Sequence, residues 1–273
     1  AHRITESDSL CNVRIGNGNV LPNITTGSYN TGIGYNVLTN TTSGEHNTSI
    51  GYYSMFCNTT GQRNFAVGAS AMEKNTTGSN NTAIGSQALR CNTTGGCNIA
   101  IGDLSLCSNT TGGYNVALGS NTLCLNTTGD CNTAISKEAL RFNTTGVSNA
   151  AIGPFALYSN TEGDDNIALG NRALLNNTTG NCNSAIGCGA LCSNTTGNYN
   201  AAIGGDALKS NTTGNYNVAL GHAVLCSNTT GNCNIGIGPL ALCANITGCD
   251  NTAFGNRALS VNTAGNYNFA AGN

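Results

Sequence analysis

A glycine that returns every 17 residues without a slip constrains this chain more than any other feature. It stands at Gly27, Gly44, Gly61 and so on to Gly265, fifteen times with no insertion or deletion between copies. Numbered from that glycine, a turn carries Asn in place 4, Ala-Ile-Gly in places 6 to 8, Ala-Leu in places 11 and 12, and Asn-Thr-Thr in places 15 to 17. Residues 95–111 are one copy, and the place-4 asparagine runs from Asn30 to Asn268. A fixed period near this length marks a solenoid, whose repeats bury apolar surface only by stacking on their neighbours.

The spacing predicts an all-β fold, a parallel β-solenoid or β-roll of 17-residue turns with two short strands per turn. The first strand covers places 4 to 8, as in Asn81-Thr-Ala-Ile-Gly85. Places 5 and 7 then point one way and places 4, 6 and 8 the other. Place 7 is almost always Ile or Leu, and the opposite face is Asn, Ala and Gly with few exceptions, Ser136 among them. Restriction on both faces points to a second surface that packs on another strand layer or another chain. The second strand is Ala-Leu, as at Ala88-Leu89, reached through a variable corner such as Lys137-Glu138. The large corner, Asn-Thr-Thr-Gly, is made of turn formers, and asparagines stacked at strand spacing can bond side chain to side chain along a column. Residues 1–26 form an atypical N-terminal turn, a cap or a subunit joint, with one extra residue at Asn17-Gly-Asn19; residues 27–273 form the regular solenoid and stop in mid-turn.

Several function classes lose support at this stage. Charged residues make up 8% of the chain and the net charge is -2, so no basic surface awaits nucleic acid or an anionic membrane. No apolar run approaches the ~18 residues of a membrane span. The chain opens at Ala1 with no signal sequence, the form a mature secreted protein would take. Three scattered histidines, acids without a common place in the repeat and the lack of paired Cys-x-x-Cys spacing give no catalytic, cofactor or metal constellation. The adjacent threonines Thr93-Thr94 face opposite ways, unlike the paired outward threonines of an ice-binding face.

Fourteen cysteines point to an oxidising, extracellular or surface location. Four pairs bracket the large corner and could clip it: Cys91 with Cys97, Cys124 with Cys131, Cys226 with Cys233, and Cys243 with Cys249. A second option is stacking, since Cys107 and Cys124, or Cys226 and Cys243, share one place in successive turns, about 4.8 Å apart at strand spacing. Both options cannot hold for Cys124 or Cys226.

The large corner also matches the N-glycosylation pattern at Asn23, Asn40, Asn58, Asn75, Asn92, Asn109, Asn126, Asn143, Asn177, Asn194, Asn211, Asn228 and Asn245, with Asn47, Asn80 and Asn176 outside that column. The rival reading is a ladder that matches by accident. Asn160-Thr-Glu and Asn262-Thr-Ala, which keep Asn and lose the acceptor, favour the ladder; Asn23-Ile-Thr and Asn40-Thr-Thr, which shift Asn and keep the acceptor, favour glycans.

The ends of the chain fit each other in phase. With Asn273 in place 9, residues Ala1 to Asp8 of a following copy fill places 10 to 17, and Asn12, Ile15 and Gly16 fall on places 4, 7 and 8. The expectation is head-to-tail polymerisation by strand addition, with Ala1, Ile4, Asp8, Phe269, Gly272 and Asn273 at the joint. Sixteen turns advance about 77 Å at ~4.8 Å per turn.

The Asn-x-x-Ala-Ile-Gly-x-x-Ala core resembles the head repeats of trimeric autotransporter adhesins, which also occur in phage tail fibres. The resemblance covers residues 27–273 and implies a left-handed parallel β-roll, three chains side by side, and a surface that binds host receptors or glycans. The period here is longer, the Asn-Thr-Thr corner is extra, and fourteen cysteines are foreign to that family. The expected protein is therefore a structural subunit of an extracellular fibre, partnered by copies of itself, disulfide-stabilised and glycosylated. The alternative is a trimeric surface-binding head.

Overall fold

The computed structural model describes residues 4–5 and 9–272. It divides into two compact units, Ala1–Asn132 and Thr133–Asn273. Each is a parallel β-solenoid of about 17 residues per turn, without a helix among the described residues. The first unit holds β1 (Ile4–Thr5), β2 (Val13–Ile15), β3 (Thr31–Tyr35), β4 (Thr48–Tyr52), β5 (Phe65–Val67), β6 (Thr82–Ile84), β7 (Ile99–Ile101) and β8 (Val116–Leu118). The second holds β9 (Thr133–Ile135), β10 (Ala150–Ile152), β11 (Ile167–Leu169), β12 (Ser184–Ile186), β13 (Ala201–Ile203), β14 (Val218–Leu220), β15 (Ile235–Ile237), β16 (Thr252–Phe254) and β17 (Phe269–Ala271).

Within the first unit β2 to β8 pair in chain order, all parallel, with like places opposite each other, as Ala83 stands opposite Ala100. Within the second, β9 to β17 do the same, as with Ala168 and Ala185. An unbroken period is what permits this register, since one inserted residue would turn every later side chain to the wrong face. The insertion near the N-terminus is absorbed outside the strands, at Gly18 with φ of 80°. β1 is the exception in direction: it lies antiparallel on β2, with Ile4 opposite Ile15.

Each regular turn has one strand, at about places 5 to 7, where two were expected. The Ala-Leu segment is apolar and buried but not pleated, because the residues at places 10 and 12 are left-handed: Gln87 has φ of 56° and Leu89 of 52°. A third left-handed residue sits at place 3, such as Cys97 at 58°. For residues with a Cβ this conformation costs roughly 1–2 kcal/mol each. Here each such residue turns its N–H along the stack, Gln87 to the Ala69 carbonyl and Leu89 to the Ser105 carbonyl, both at 2.9 Å. The bond between turns offsets the backbone strain.

The interior is narrow. Alanines at places 6 and 11 and leucine at place 12 are fully buried along the stack, Ala83, Ala88 and Leu89 being one turn's set. Each leucine so buried contributes roughly 1.5–3 kcal/mol. Of the strand's two restricted faces, the small one is the core: the Ile and Leu of place 7 stand outside.

Candidate functional site

Two asparagine columns flank the core. The place-4 asparagines from Asn30 to Asn251 are buried, and most bond the preceding one through backbone and side chain together. The N–H and Nδ2 of Asn81 donate to Asn64 Oδ1 at 3.0 and 3.2 Å, and Nδ2 also donates to the Gly95 carbonyl at 2.9 Å. The place-15 column runs beside it. Asn92 Nδ2 donates to Asn75 Oδ1 at 2.8 Å and to the same Gly95 carbonyl at 2.9 Å. One carbonyl thus takes a bond from each column. A Cβ on Gly95 would stand 2.5 Å from Asn92 Oδ1, so place 1 must be glycine. The threonine of place 16 completes the corner, with Thr93 Oγ1 donating to the Thr110 carbonyl at 3.0 Å.

This geometry bears directly on the glycosylation candidates. Asn58, Asn75, Asn92, Asn109, Asn126, Asn143, Asn177, Asn194, Asn211, Asn228 and Asn245 are all 0% exposed. An Asn amide has two hydrogens, and along this column both are spent, on the preceding Asn and on the glycine carbonyl. A sugar on Nδ2 would break one of those bonds and would have no room. In the folded chain these eleven are ladder residues with their amides buried. Asn23 is exposed and Asn40 half-buried, and outside the column Asn80 and Asn176 are exposed while Asn47 is buried in the place-4 ladder.

The cysteines follow the same stacking rule. All fourteen are free thiols. Of the place-3 cysteines, Cys97, Cys131 and Cys233 are exposed and Cys182 is half-buried, as the place-13 cysteines are. Cys226 and Cys243 bring their sulfurs to 3.1 Å. The corner clips Cys91–Cys97, Cys226–Cys233 and Cys243–Cys249 bring no two sulfurs within hydrogen-bond reach, because like place stacks on like place and the corner faces its two flanks in different directions. Burial, with Cys124 and then Cys91 adding to it, pushes the Cys107 thiol up to about 11.

Two surfaces remain that could engage other molecules. The first is the outward strand face: Ile152, Ile167, Ile203, Val218 and Leu220 in the second unit are 38–44% exposed, an apolar sheet face with no covering layer. The second is the edge of β17. Asn268 donates to Asn251 Oδ1 through N and Nδ2 at 3.0 and 2.9 Å, and its own Oδ1 accepts nothing among the described residues. Phe269 is 71% exposed, and a Cβ on Gly272 would meet nothing within 4 Å. Of the joint residues, Ile4 lies on β2 of its own chain, and Ala1, Asp8 and Asn273 fall outside the described residues.

Concave chemistry is sparse. A hollow of about 500 Å³ beside Cys97, Tyr114, Asp130 and Cys131 and another of about 270 Å³ beside Phe155, Tyr158 and Arg172 are shallow and open to solvent. Among the described residues no three His, Cys, Asp or Glu side chains converge as a metal site would require. Among the described residues no helix is long and apolar enough to cross a membrane. No protein-family model matches the sequence, and no curated protein matches it as a relative.

Proposed function

We propose that this chain is a structural subunit of an extracellular fibre that polymerises head to tail. The observation that supports the reading is the in-register asparagine ladder, in which the place-4 Oδ1 of one turn accepts from the asparagine of the next, so that a further turn in the same phase adds to it without new chemistry. In the described rungs the following asparagine donates its N–H and, in most of them, its Nδ2 as well, and in repeat phase the asparagine that would follow Asn268 is Asn12 of a second copy. In the free subunit β1 covers the edge of β2, so joining exchanges one antiparallel pair for a full parallel turn. Electron microscopy of purified protein should give filaments with an axial repeat near 77 Å, from sixteen turns at ~4.8 Å. Short rods that do not lengthen with concentration would refute the polymer.

The outward apolar face supports lateral packing as well, and with it the second reading, a trimeric binding head whose partners are host receptors or glycans. Mass per length separates the two, since a trimer carries three chains where a single filament carries one. Glycans, where the fibre bears them, belong at Asn23, Asn40, Asn80 and Asn176, the surface acceptors. Site mapping after N-glycosidase treatment in heavy-oxygen water should place any label at these four and leave the eleven ladder asparagines unlabelled.

A further inference from the structure

We propose that Cys226 and Cys243 close into a disulfide that staples two successive turns of the second unit. The pair occupies place 13 in neighbouring turns, where in-register stacking sets α carbons about 4.8 Å apart, inside the span a disulfide bridges. The sulfurs already lie 3.1 Å apart, and the Ser227 N–H bonds the Cys243 carbonyl at 3.1 Å, so the two backbones are locked side by side. Place 13 is Lys209 one turn before and Ser260 one turn after, so no third cysteine of the column competes. Cys233 and Cys249 leave the corner in other directions: Cys249 Sγ sits 3.3 Å from the backbone nitrogen of Asn232, and Cys226 Sγ reaches only Ser227 and Cys243.

Closure by thiol–disulfide exchange needs an oxidant of the glutathione-disulfide class. One cysteine thiolate attacks that disulfide, forms a mixed disulfide and expels one glutathione thiolate. The second cysteine thiolate then attacks the sulfur of the first and expels the other glutathione. The two thiol protons end on the two glutathione thiolates, the two cysteines are oxidised by two electrons, and one external disulfide is reduced to two thiols. Burial and the Cys226 thiol hold the Cys243 thiol up at about 11, so exchange through it speeds up as pH rises toward that value.

The inference deepens the reading of an oxidised fibre subunit but does not depend on the compartment, because the oxidant can be supplied. Reduced full-length protein is exposed to oxidised glutathione at pH 8 to 9, its remaining thiols are alkylated in denaturant, and it is digested by a protease that cuts at Leu240, between the two cysteines. The expected product is one linked peptide pair, Cys226 to Cys243, two hydrogens lighter than the separate peptides, with alkylation lost at both and retained at Cys233. In Cys226→Ser, alkylation of Cys243 returns. Linkage of Cys226 to Cys233, or full alkylation of both Cys226 and Cys243 after oxidation, overturns the proposal. Protein alkylated directly at its source tests the compartment separately: a reduced pair there counts against an extracellular fibre while the pairing stands on the first arm.

Discussion

Replacing Asn200 with alanine should cost the second unit about 3–5 kcal/mol of stability, the sum expected when several buried bonds go and their partners stay behind unpaired. The N–H and side chain of Asn200 take part in five bonds. Its N–H and Nδ2 donate to Asn183 Oδ1 at 3.0 and 3.1 Å, its Nδ2 donates to the Gly214 carbonyl at 2.8 Å, and its Oδ1 accepts both donors of Asn217 at 3.0 and 3.1 Å. Alanine keeps the N–H bond to Asn183 and leaves Gly214 its bond from Asn211, but it removes the other four bonds and orphans the N–H and one Nδ2 hydrogen of Asn217 in a site 1% exposed, too tight for replacement water. Aspartate would be no better, since an ionised carboxylate cannot donate to Gly214 and would be buried without a counter-charge. The control is two residues away. Asn198 bonds the Asn215 side chain through its own N–H, at 2.8 Å, and at this half-exposed corner water can replace its side-chain bonds, so Asn198→Ala should cost under about 1 kcal/mol. Denaturant titration of the three proteins decides it, and equal midpoints for the two variants would show that the ladder does not hold the turns together.

The ladder was within reach of the sequence because its cause is periodic: an asparagine that never leaves place 4 over fifteen turns has to meet its own copy once strands stack in register. The parallel register and the Gly-Asn-Thr corner follow from the same count. The second strand did not follow. Ala88-Leu89 reads as a short apolar strand, yet Leu89 is left-handed, a state that leucine disfavours and that hydrogen bonds between turns impose. Local propensity was overridden by contacts one period away, which a window of neighbouring residues does not contain. Which face of β7 looks inward was equally undetermined, since Ile99 and Ile101 are the larger side chains and Ala100 the smaller. The narrow interior admits only the smaller: Ala100 is 0% exposed, the isoleucines 40% and 38%. The glycosylation pattern was ambiguous for a related reason, because Asn-Thr-Thr satisfies the ladder and the acceptor motif with the same three residues. Two exceptions, Asn160 and Asn262, carried the distinguishing signal: each donates to the preceding column asparagine, at 2.8 and 3.0 Å, without an acceptor motif.

The closeness of the turns makes a second substitution equally costly. Gly187 has φ of 137°, and a Cβ there would stand 2.6 Å from the Gly204 carbonyl carbon and oxygen. Gly187→Ala therefore combines a backbone region that L-residues rarely enter with an overlap against backbone that cannot rotate away. Each effect is worth about 1–3 kcal/mol, so the pair together should cost about 3–5. Two comparisons isolate the cause. Gly205 lies in the same turn stack with an ordinary φ, and its added Cβ would make only ordinary contacts, with the His222 ring at 3.7 Å and the Cys188 carbonyl oxygen at 3.9 Å, so Gly205→Ala should gain about 0.5 kcal/mol by stiffening the unfolded chain. Ser136 occupies the glycine place of its own turn at φ of 104°, so Ser136→Gly should gain about 1 kcal/mol from relieved strain. Thermal unfolding of the three variants should place Gly187→Ala far below the parent and the other two slightly above it. A Gly187→Ala protein that melts with the parent would mean the turns are not spaced closely enough for a carbonyl to exclude a methyl group, and the stacked ladders could not then form.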